Sequence, residues 1–287
     1  MTWLFWGLIR RSPAEDRVHA LTVGTACVVG CLSLAGLTIS LALDAHAVAL
    51  ACVFTGLWGF VLVVYLAVAH RMIPFFTASA LPRMNAWRPF WLLGLMLALA
   101  AFEVAAAWVE RDGGPPGTVG AAWTLVRGLL ELAAGGLLLW LALKWGFVRS
   151  LKNRLLAMLH IGFGWLGLAL ALGGVAKLGG WAQGTVVLNL GSVHALTMGC
   201  LASLMLAMVT RVSCGHSGRA LVADRIAWTL FWLLQVATLL RIAGAVQSAF
   251  AGGLLLATAL LWAAIMAVWG LRLGNWYGRL RADGRPG

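Results

Sequence analysis

Residues 154–175 read RLLAMLHIGFGWLGLALALGGV, and their only ionisable side chains are Arg154 and His160. An α-helix needs about 20 mostly apolar residues to cross the hydrocarbon core of a bilayer, so this stretch predicts a transmembrane helix. Seven other segments of the chain meet the same criterion, at about 18–42, 45–69, 89–109, 119–143, 186–210, 226–248 and 251–271. The sequence therefore predicts an all-α fold, a polytopic bundle of about eight transmembrane helices that forms one domain over residues 1–287.

The composition supports a membrane location. Hydrophobic residues make up 62% of the chain and charged residues only 10%, whereas an ordinary soluble domain has about 25% charged residues. A soluble protein could not cover its surface with so few charges, but a bilayer removes that requirement. The 35 glycines are typical of closely packed membrane helices.

Basic residues occupy alternate loops, and this pattern predicts the orientation of the chain. All of the 21 basic residues except Arg111, Arg127, Lys177 and Arg241 fall in the N-terminal segment, the C-terminal tail, or the loops after the second, fourth and sixth spans. The positive-inside rule places these segments, and so both termini, in the cytoplasm. The net charge of +12 is then explained by the basic residues of the cytoplasmic loops and does not indicate nucleic-acid binding. We expect the lipid bilayer, and no nucleic acid, as a partner.

Smaller features fit the same interpretation. The five cysteines form no C-x-x-C pair and four of them lie in apolar runs, so no disulfide framework is expected. Residues 1–9 are apolar but too short to span, and we read them as an interfacial piece or the stub of a preceding helix. The sequence shows no convincing internal repeat. The tight linker between the last two spans is expected near Gln247, Ser248 and Gly252.

Ionisable side chains within the spans are costly, by about 2.5–3.5 kcal/mol on insertion scales, and each needs a physical reason. Arg127 and Glu131 lie four residues apart and share a helix face. They either neutralise each other, or Arg127 pairs with an anionic ligand group such as a haem propionate. Glu103 is either protonated, paired with Arg127 or Arg241 from another helix, or part of a proton path.

The two histidines deepest in the spans, His160 and His194, are candidate metal ligands. Neutral imidazole commonly ligates haem iron and also suits copper. On adjacent helices the two side chains could clamp a haem edge-on, although a buried histidine can also make only a structural hydrogen bond. Small residues at Gly191, Ala195 and Gly199 leave room for a flat macrocycle or for another helix.

Further candidates lie at the span ends. His70 and Arg71 are expected to close the second span just before Pro74. His216 is expected in a cytoplasmic loop, Arg211 to Arg219, that either contacts lipid headgroups or binds an anion. We read His19 and His46 as interfacial. The remaining soft donors either bind Cu(I) or simply pack between helices, and they are Cys27, Cys31, Met198 and Cys200.

Three stretches carry a resemblance to a known family. They are HRMIPFFT at 70–77, HALTMG at 194–199 and TRVSCGHSGR at 210–219, and the run HIGFGW at 160–165 adds to them. In order and spacing they resemble the NnrS family over about residues 60 to 220. The resemblance implies a polytopic bacterial inner-membrane protein that binds haem and copper and is linked to the nitric oxide response and to denitrification.

The resemblance also implies a difference in length. Family members are usually longer, with about twelve helices and an additional histidine-rich stretch near the start. This chain resembles the C-terminal two-thirds of such a protein, with residues 1–9 as a remnant of the earlier part. Ligands supplied by that part would then be missing.

The leading hypothesis is a membrane protein of nitric oxide defence that binds b-type haem and, as a second candidate, copper. Its candidate metal ligands are His70, His160, His194 and His216, and its candidate partners for propionates or other anions are Arg127, Arg211, Arg219 and Arg241. A transporter or channel is the alternative, with Glu103, Arg127, Glu131 and Arg241 along its path. A membrane oxidoreductase acting on nitrogen oxides is third, because it needs several clustered histidines. Whether the protein is an enzyme is left open.

Overall fold

The structure is a computed structural model that describes residues 2–13, 16–81, 85, 87–184, 188, 190–246 and 250–285. Every regular element in these ranges is helical, which confirms the all-α class. The helices are α1 (Thr2–Arg11), α2 (Val18–Ala42), α3 (His46–Ala80), α4 (Phe90–Val109), α5 (Gly117–Lys144), α6 (Phe147–Ser150), α7 (Arg154–Gln183), α8 (Gly191–His216), α9 (Arg225–Ala243) and α10 (Ala251–Tyr277). Of these, all but α1 and α6 are long and apolar enough to cross a membrane. The prediction of eight spans is confirmed, while the orientation of the termini stays a prediction.

Four of the observed spans extend well past their predicted C-terminal ends, and the last of them, α10, reaches Tyr277 where we expected an end near residue 271. Helix α3 continues to Ala80, where we expected the span to end near residue 69, and Pro74 lies inside it. A proline removes one backbone hydrogen bond, a loss that membrane helices tolerate when neighbouring groups compensate. Helix α7 continues to Gln183, and α8 continues to His216. We expected a loop from Arg211 to Arg219. Residues 211–216 are instead helical, because helical hydrogen bonding continues through these polar residues, and only residues 217–219 lie beyond the helix.

Contacts within the chain define two compact units. Unit 1 comprises residues 1–79 and 85–121, and unit 2 comprises residues 80–84 and 122–287. The single transmembrane domain stays a prediction. The expected linker residues Gln247 and Ser248 lie outside the described residues, and Gly252 lies in the first turn of α10.

Unit 1 is built around an antiparallel hairpin of α2 and α3. A Cβ atom on Gly30 would lie 2.7 Å from the ring of Phe60, so glycine is needed for this close approach. Ser33 Oγ donates a hydrogen bond of 2.6 Å to the carbonyl oxygen of Cys52. The middle of α3, Gly56–Leu62, has π-helical hydrogen bonding. Helix α1 packs on the start of α2, where Trp6 contacts Gly24.

Unit 2 is built around a second antiparallel hairpin, formed by α7 and α8. A Cβ atom on Gly199 would lie 2.5 Å from the indole of Trp165, and one on Gly162 would lie 3.1 Å from Leu204. Helix α8 also contains a π-helical segment, Ala195–Ala202. On the other side of α7, helix α5 approaches so closely that a Cβ on Gly135 would lie 2.7 Å from the α7 backbone.

A buried hydrogen-bond network ties three helices of unit 2 together. The indole Nε1 of Trp165 in α7 donates to Gln235 Oε1 in α9 at 2.7 Å. The amide Nε2 of Gln235 in turn donates to Ser203 Oγ in α8 at 2.9 Å. Because all three side chains are buried, these hydrogen bonds hold α7, α8 and α9 in a fixed register.

Candidate functional site

The first candidate site is a charged cluster in unit 2, formed by Arg127, Glu131 and Lys177. Arg127 Nε donates to Glu131 Oε1 at 2.9 Å, and Lys177 Nζ donates to Glu131 Oε2 at 2.8 Å. The Glu131 side chain is only 3% exposed. A Cβ atom on Gly173 would lie 2.6 Å from Glu131 Oε2, so glycine makes room for the carboxylate. Two cationic groups therefore bind one buried carboxylate.

This cluster answers one of the questions the sequence left open. Arg127 and Glu131 do pair with each other, as the four-residue spacing on one helix face predicts. Lys177 was missed, because we expected the fifth span to end near residue 175. The longer α7 places this lysine along the helix, where its side chain reaches Glu131.

His194 lies in the first turn of α8, close to the charged cluster in the fold. Its side chain is half-buried. The positive charge of Arg241 in α9 lies near enough to interact with the imidazole. Ser192, two residues earlier, lies 3.6 Å from the position of a Cβ on Gly173, the glycine that borders Glu131. The first turn of α8 packs on α9, so His194 and Arg241 lie in the same part of unit 2.

His160 lies elsewhere in unit 2. Its side chain is fully buried, and its ring meets Phe147 edge to face with 6.4 Å between centroids. Contacts between the antiparallel α7 and α8 pair Gly162 with Leu204 and Trp165 with Gly199. This register places His160 level with about residue 205 of α8, and His194 level with about residue 171 of α7. The two histidines are therefore about 17 Å apart along the helix axes, at 1.5 Å per residue.

That separation decides against the haem clamp. Two axial ligands of one iron bring their nitrogens within about 4 Å of each other, twice an ordinary metal–nitrogen distance of about 2 Å. His160 and His194 do not meet this condition in the hairpin, so each is a candidate ligand only by itself. The room expected beside Gly199 is filled by the indole of Trp165, and that beside Gly191 is filled by Leu188.

Unit 1 contains a histidine pair, His19 and His70. His19 Nε2 and His70 Nδ1 are hydrogen-bonded at 3.0 Å. On the far sides of the rings, His70 Nε2 lies 3.1 Å from the carbonyl oxygen of Pro89, and His19 Nδ1 lies 3.4 Å from Asp16 Oδ2. His19 is 5% exposed and His70 is 0% exposed. Phe90 packs against both rings.

Sequence reasoning found only half of this pair. His70 was a candidate ligand at the expected end of the span, but it lies within α3, ten residues before the helix ends. We read His19 as interfacial, whereas it is buried against His70. The contact joins residues 51 positions apart, so no local spacing could reveal it.

The third candidate site is a tail cluster at the C-terminal ends of α8 and α10. The guanidinium groups of Arg219 and Arg272 each lie 4.7 Å from the ring centroid of Trp276. Arg272 also binds both carboxylate oxygens of Asp224, at 2.8 and 2.6 Å, and this pairing holds the pKa of Asp224 below its usual range. Asp224 Oδ1 in turn accepts from the backbone N–H of Ala227 and so caps α9.

The tail cluster also accounts for the predicted residue His216. It is the last residue of α8, its side chain is exposed, and its carbonyl oxygen accepts a hydrogen bond from Arg281. Arg281 also pairs with Asp283 and lowers the pKa of that carboxyl to about 2. Arg211 lies within α8 and is half-buried. The structure thus places Arg219 against an aromatic ring and His216 at the surface.

No three His, Cys, Asp or Glu side chains in the described part of the chain come together as a metal site. None of the five cysteines, which all lie in the described ranges, forms a disulfide. Any metal bound by these residues would therefore take at most two of them as ligands.

Eight apolar helices with a few buried histidine, arginine and glutamate side chains define a polytopic helical membrane protein. A family model described as NnrS protein matches residues 1–281, and the chain therefore belongs to the NnrS family. The match confirms the resemblance and extends it beyond residues 60–220 to nearly the whole chain. No curated protein and no solved structure matches the chain.

Proposed function

We propose that this protein binds haem, with copper as a further metal, in the bacterial inner membrane and acts in the response to nitric oxide. The observation that carries the proposal is the half-buried imidazole of His194 on a helix turn that packs against α9, within reach of the positive charge of Arg241. An imidazole can ligate haem iron, and a neighbouring guanidinium can bind a propionate, so both parts of the cofactor find a chemically suitable partner. Membership of the NnrS family also supports haem binding.

The residues favour ligation by one histidine. His194 would ligate the haem iron, and Arg241 is a better partner for a propionate than Arg127, because Arg127 is already bound to Glu131. The Trp165–Gln235–Ser203 network would keep α8 and α9 in register and so hold His194 and Arg241 in place. Haem, when bound, supplies an iron(II) centre with high affinity for nitric oxide.

The two alternatives have less support. A transport path would be lined by charges that face it, whereas Arg127, Glu131 and Lys177 bind one another. An oxidoreductase with a second metal beside haem would need several histidines together. Among the described residues, the one histidine–histidine contact is that of His19 and His70, in the other unit.

The test is an absorption spectrum of the protein purified in detergent, oxidised and reduced, with and without nitric oxide. We expect a Soret band that shifts when nitric oxide is added to the reduced protein. The band should be lost or displaced in His194→Ala and weakened in Arg241→Gln. It should persist in His46→Ala, because this exposed histidine lies in unit 1 and hydrogen-bonds its ring to the carbonyl oxygen of Asp44.

Two results would overturn the proposal. The first is a wild-type protein with no Soret band after expression with added haem. The second is a band that is unchanged in His194→Ala, which would move the ligand elsewhere. Substrate flux into liposomes by protein that holds no haem would instead favour the transporter.

A further inference from the structure

We infer that His19 and His70 in unit 1 form a binding site for one transition-metal ion, zinc or copper, separate from the haem site at His194. The inference does not depend on haem binding. If the ion is copper, the site gives a location to the further metal of the proposed function, and only that identification rests on the proposed function. The starting observation is that two buried imidazoles direct ring nitrogens at each other, 3.0 Å apart.

The outer nitrogen of His70 has the kind of partner that orients metal-binding histidines, and the outer nitrogen of His19 lies near a carboxylate without being hydrogen-bonded to it. A carbonyl oxygen can only accept, so the contact with Pro89 places a proton on His70 Nε2 and a lone pair on Nδ1. The Asp16 carboxylate likewise favours a proton on His19 Nδ1, at a 3.4 Å separation that is longer than a direct hydrogen bond. Histidine ligands of metals usually donate their other N–H to a carbonyl or a carboxylate in this way.

This arrangement favours a cation shared between the two rings. If both outer nitrogens carry protons and both rings are neutral, the two inner nitrogens each present a lone pair to the other. Two lone pairs 3.0 Å apart repel, and the repulsion is relieved by a shared proton or a shared metal ion. The hydrogen bond corresponds to the shared proton, and a metal ion with affinity for imidazole would replace it.

The distance between the rings suits such an ion. Metal–nitrogen bonds of about 2.0–2.1 Å at a tetrahedral angle hold two ligand nitrogens about 3.3 Å apart. The observed 3.0 Å would therefore have to open by about 0.3 Å, and the two rings, whose centroids lie 5.3 Å apart and nearly in line with the facing nitrogens, would have to tilt toward the ion. The two protein ligands leave the other positions of the coordination shell to water or a small exogenous ligand, as in metal sites with open positions.

The surroundings keep the pair in place. Three helices contribute to it, since His19 lies in α2, His70 in α3, and Pro89 with Phe90 at the start of α4. The Phe90 ring centroid lies 5.9 Å from that of His19 and 6.4 Å from that of His70, so an aromatic ring covers one side. The positive charges of Arg71 and Arg88 also act on His19, and Asp16 offsets part of their repulsion toward a metal ion.

Metal content measures the inference directly. The full-length protein in detergent is loaded with Zn²⁺ or Cu²⁺, passed over a desalting column and measured by elemental analysis. We expect about one tightly held ion per wild-type chain and none in His19→Gln or His70→Gln. Glutamine keeps a hydrogen-bonding side chain at each position but is a poor ligand for these metals. His46→Ala, which changes an exposed histidine of the same unit, should retain the ion.

Two further measurements separate metal binding from misfolding and from haem binding. Added metal should raise the thermal midpoint of the wild type and of His46→Ala but leave those of the glutamine variants unchanged. The Soret band should be the same in all four proteins, so failure of the haem proposal would not affect this one. The inference is overturned if the wild type holds no ion, if both glutamine variants hold as much as the wild type, or if these variants lose the Soret band.

Discussion

The two compact units both contain a helix hairpin but place their buried polar clusters at opposite ends of it. Each contains an antiparallel hairpin whose second helix has a π-helical segment around a glycine, Gly59 in unit 1 and Gly199 in unit 2. In both, an arginine follows that glycine by twelve residues, Arg71 and Arg211. Yet unit 1 carries its histidine pair at the open end of the hairpin, whereas unit 2 carries its charged cluster near the turn. Similar helices therefore do not imply similar sites, and each unit needs its own functional assignment.

The units also differ in how deeply their first hairpin helix is buried. In the most apolar window of α7, 78% of residues are buried, against 22% in that of α2. Substitutions along α7 and its contacts should thus cost more than equivalent changes in unit 1. The following predictions test this contrast, from the largest expected effect to the smallest.

The largest effect is expected from Glu131→Leu. This change leaves Arg127 and Lys177 without the buried carboxylate that binds both of them, and breaking a buried pair on one side typically costs about 3–5 kcal/mol. We expect a large drop in the thermal midpoint measured by size-exclusion chromatography after heating. The triple variant Arg127→Met/Glu131→Leu/Lys177→Met should recover most of the loss. A triple variant as unstable as the single one would show that the charges are not the cause.

A smaller effect is expected from Gly135→Val, which tests the close approach of α5 and α7. A Cβ at this position meets the α7 backbone at 2.7 Å, and overpacking of this kind costs about 1–3 kcal/mol. The neighbouring Gly136→Val is the matched control, because no atom lies within 4 Å of its Cβ position. The thermal midpoint should fall for the first variant and stay near that of the wild type for the second. Equal losses would contradict the packing of these helices.

A direct comparison of the units comes from two tryptophan substitutions. Trp165→Phe in unit 2 removes the hydrogen bond to buried Gln235, and an unsatisfied buried amide costs about 1–3 kcal/mol. Trp108→Phe in unit 1 removes a hydrogen bond to Thr55 from an exposed ring, so its cost should be well below 1 kcal/mol. Denaturation of both variants in the same detergent gives the two values. The contrast between the units fails if Trp108→Phe costs as much as Trp165→Phe.

The smallest effect concerns pH and Asp224. Its pKa is lowered in the folded protein by Arg272, so its stabilisation is complete above its unfolded value of about 4 and is lost as the pH falls through the folded pKa. At neutral pH, Asp224→Asn should cost about 1 kcal/mol or less, because the side chain is 44% exposed. The difference in thermal midpoint from the wild type should shrink as the pH is lowered toward 3. Asp44→Asn, at an exposed turn, is the control, and a difference that grows in acid would contradict the prediction.

The sequence predicted the number of spans because each span meets a length and hydrophobicity requirement that the bilayer imposes locally. It misplaced the ends of α3 and α8, since His70, Pro74 and Arg211 are typical of helix ends in water but lie inside these helices. The Arg127–Glu131 pair was predictable because its members are four residues apart. The histidine pair and the role of Lys177 depend on contacts between distant segments, and a single sequence does not show these.

The π-helical segment of α3 has a consequence for how the helix tolerates a deletion. A π turn holds more residues than an α turn, so removing one residue from Gly56–Leu62 would return the segment to ordinary α-helix. Because the extra residue is taken up within one turn, the residues after it would keep nearly the same facing, and His70 would still point at His19. The same deletion between Leu62 and His70, in ordinary α-helix, would rotate everything after it by about 100° around the helix axis and turn His70 away. A single deleted codon would thus preserve or separate the two imidazoles according to which turn of one helix it falls in.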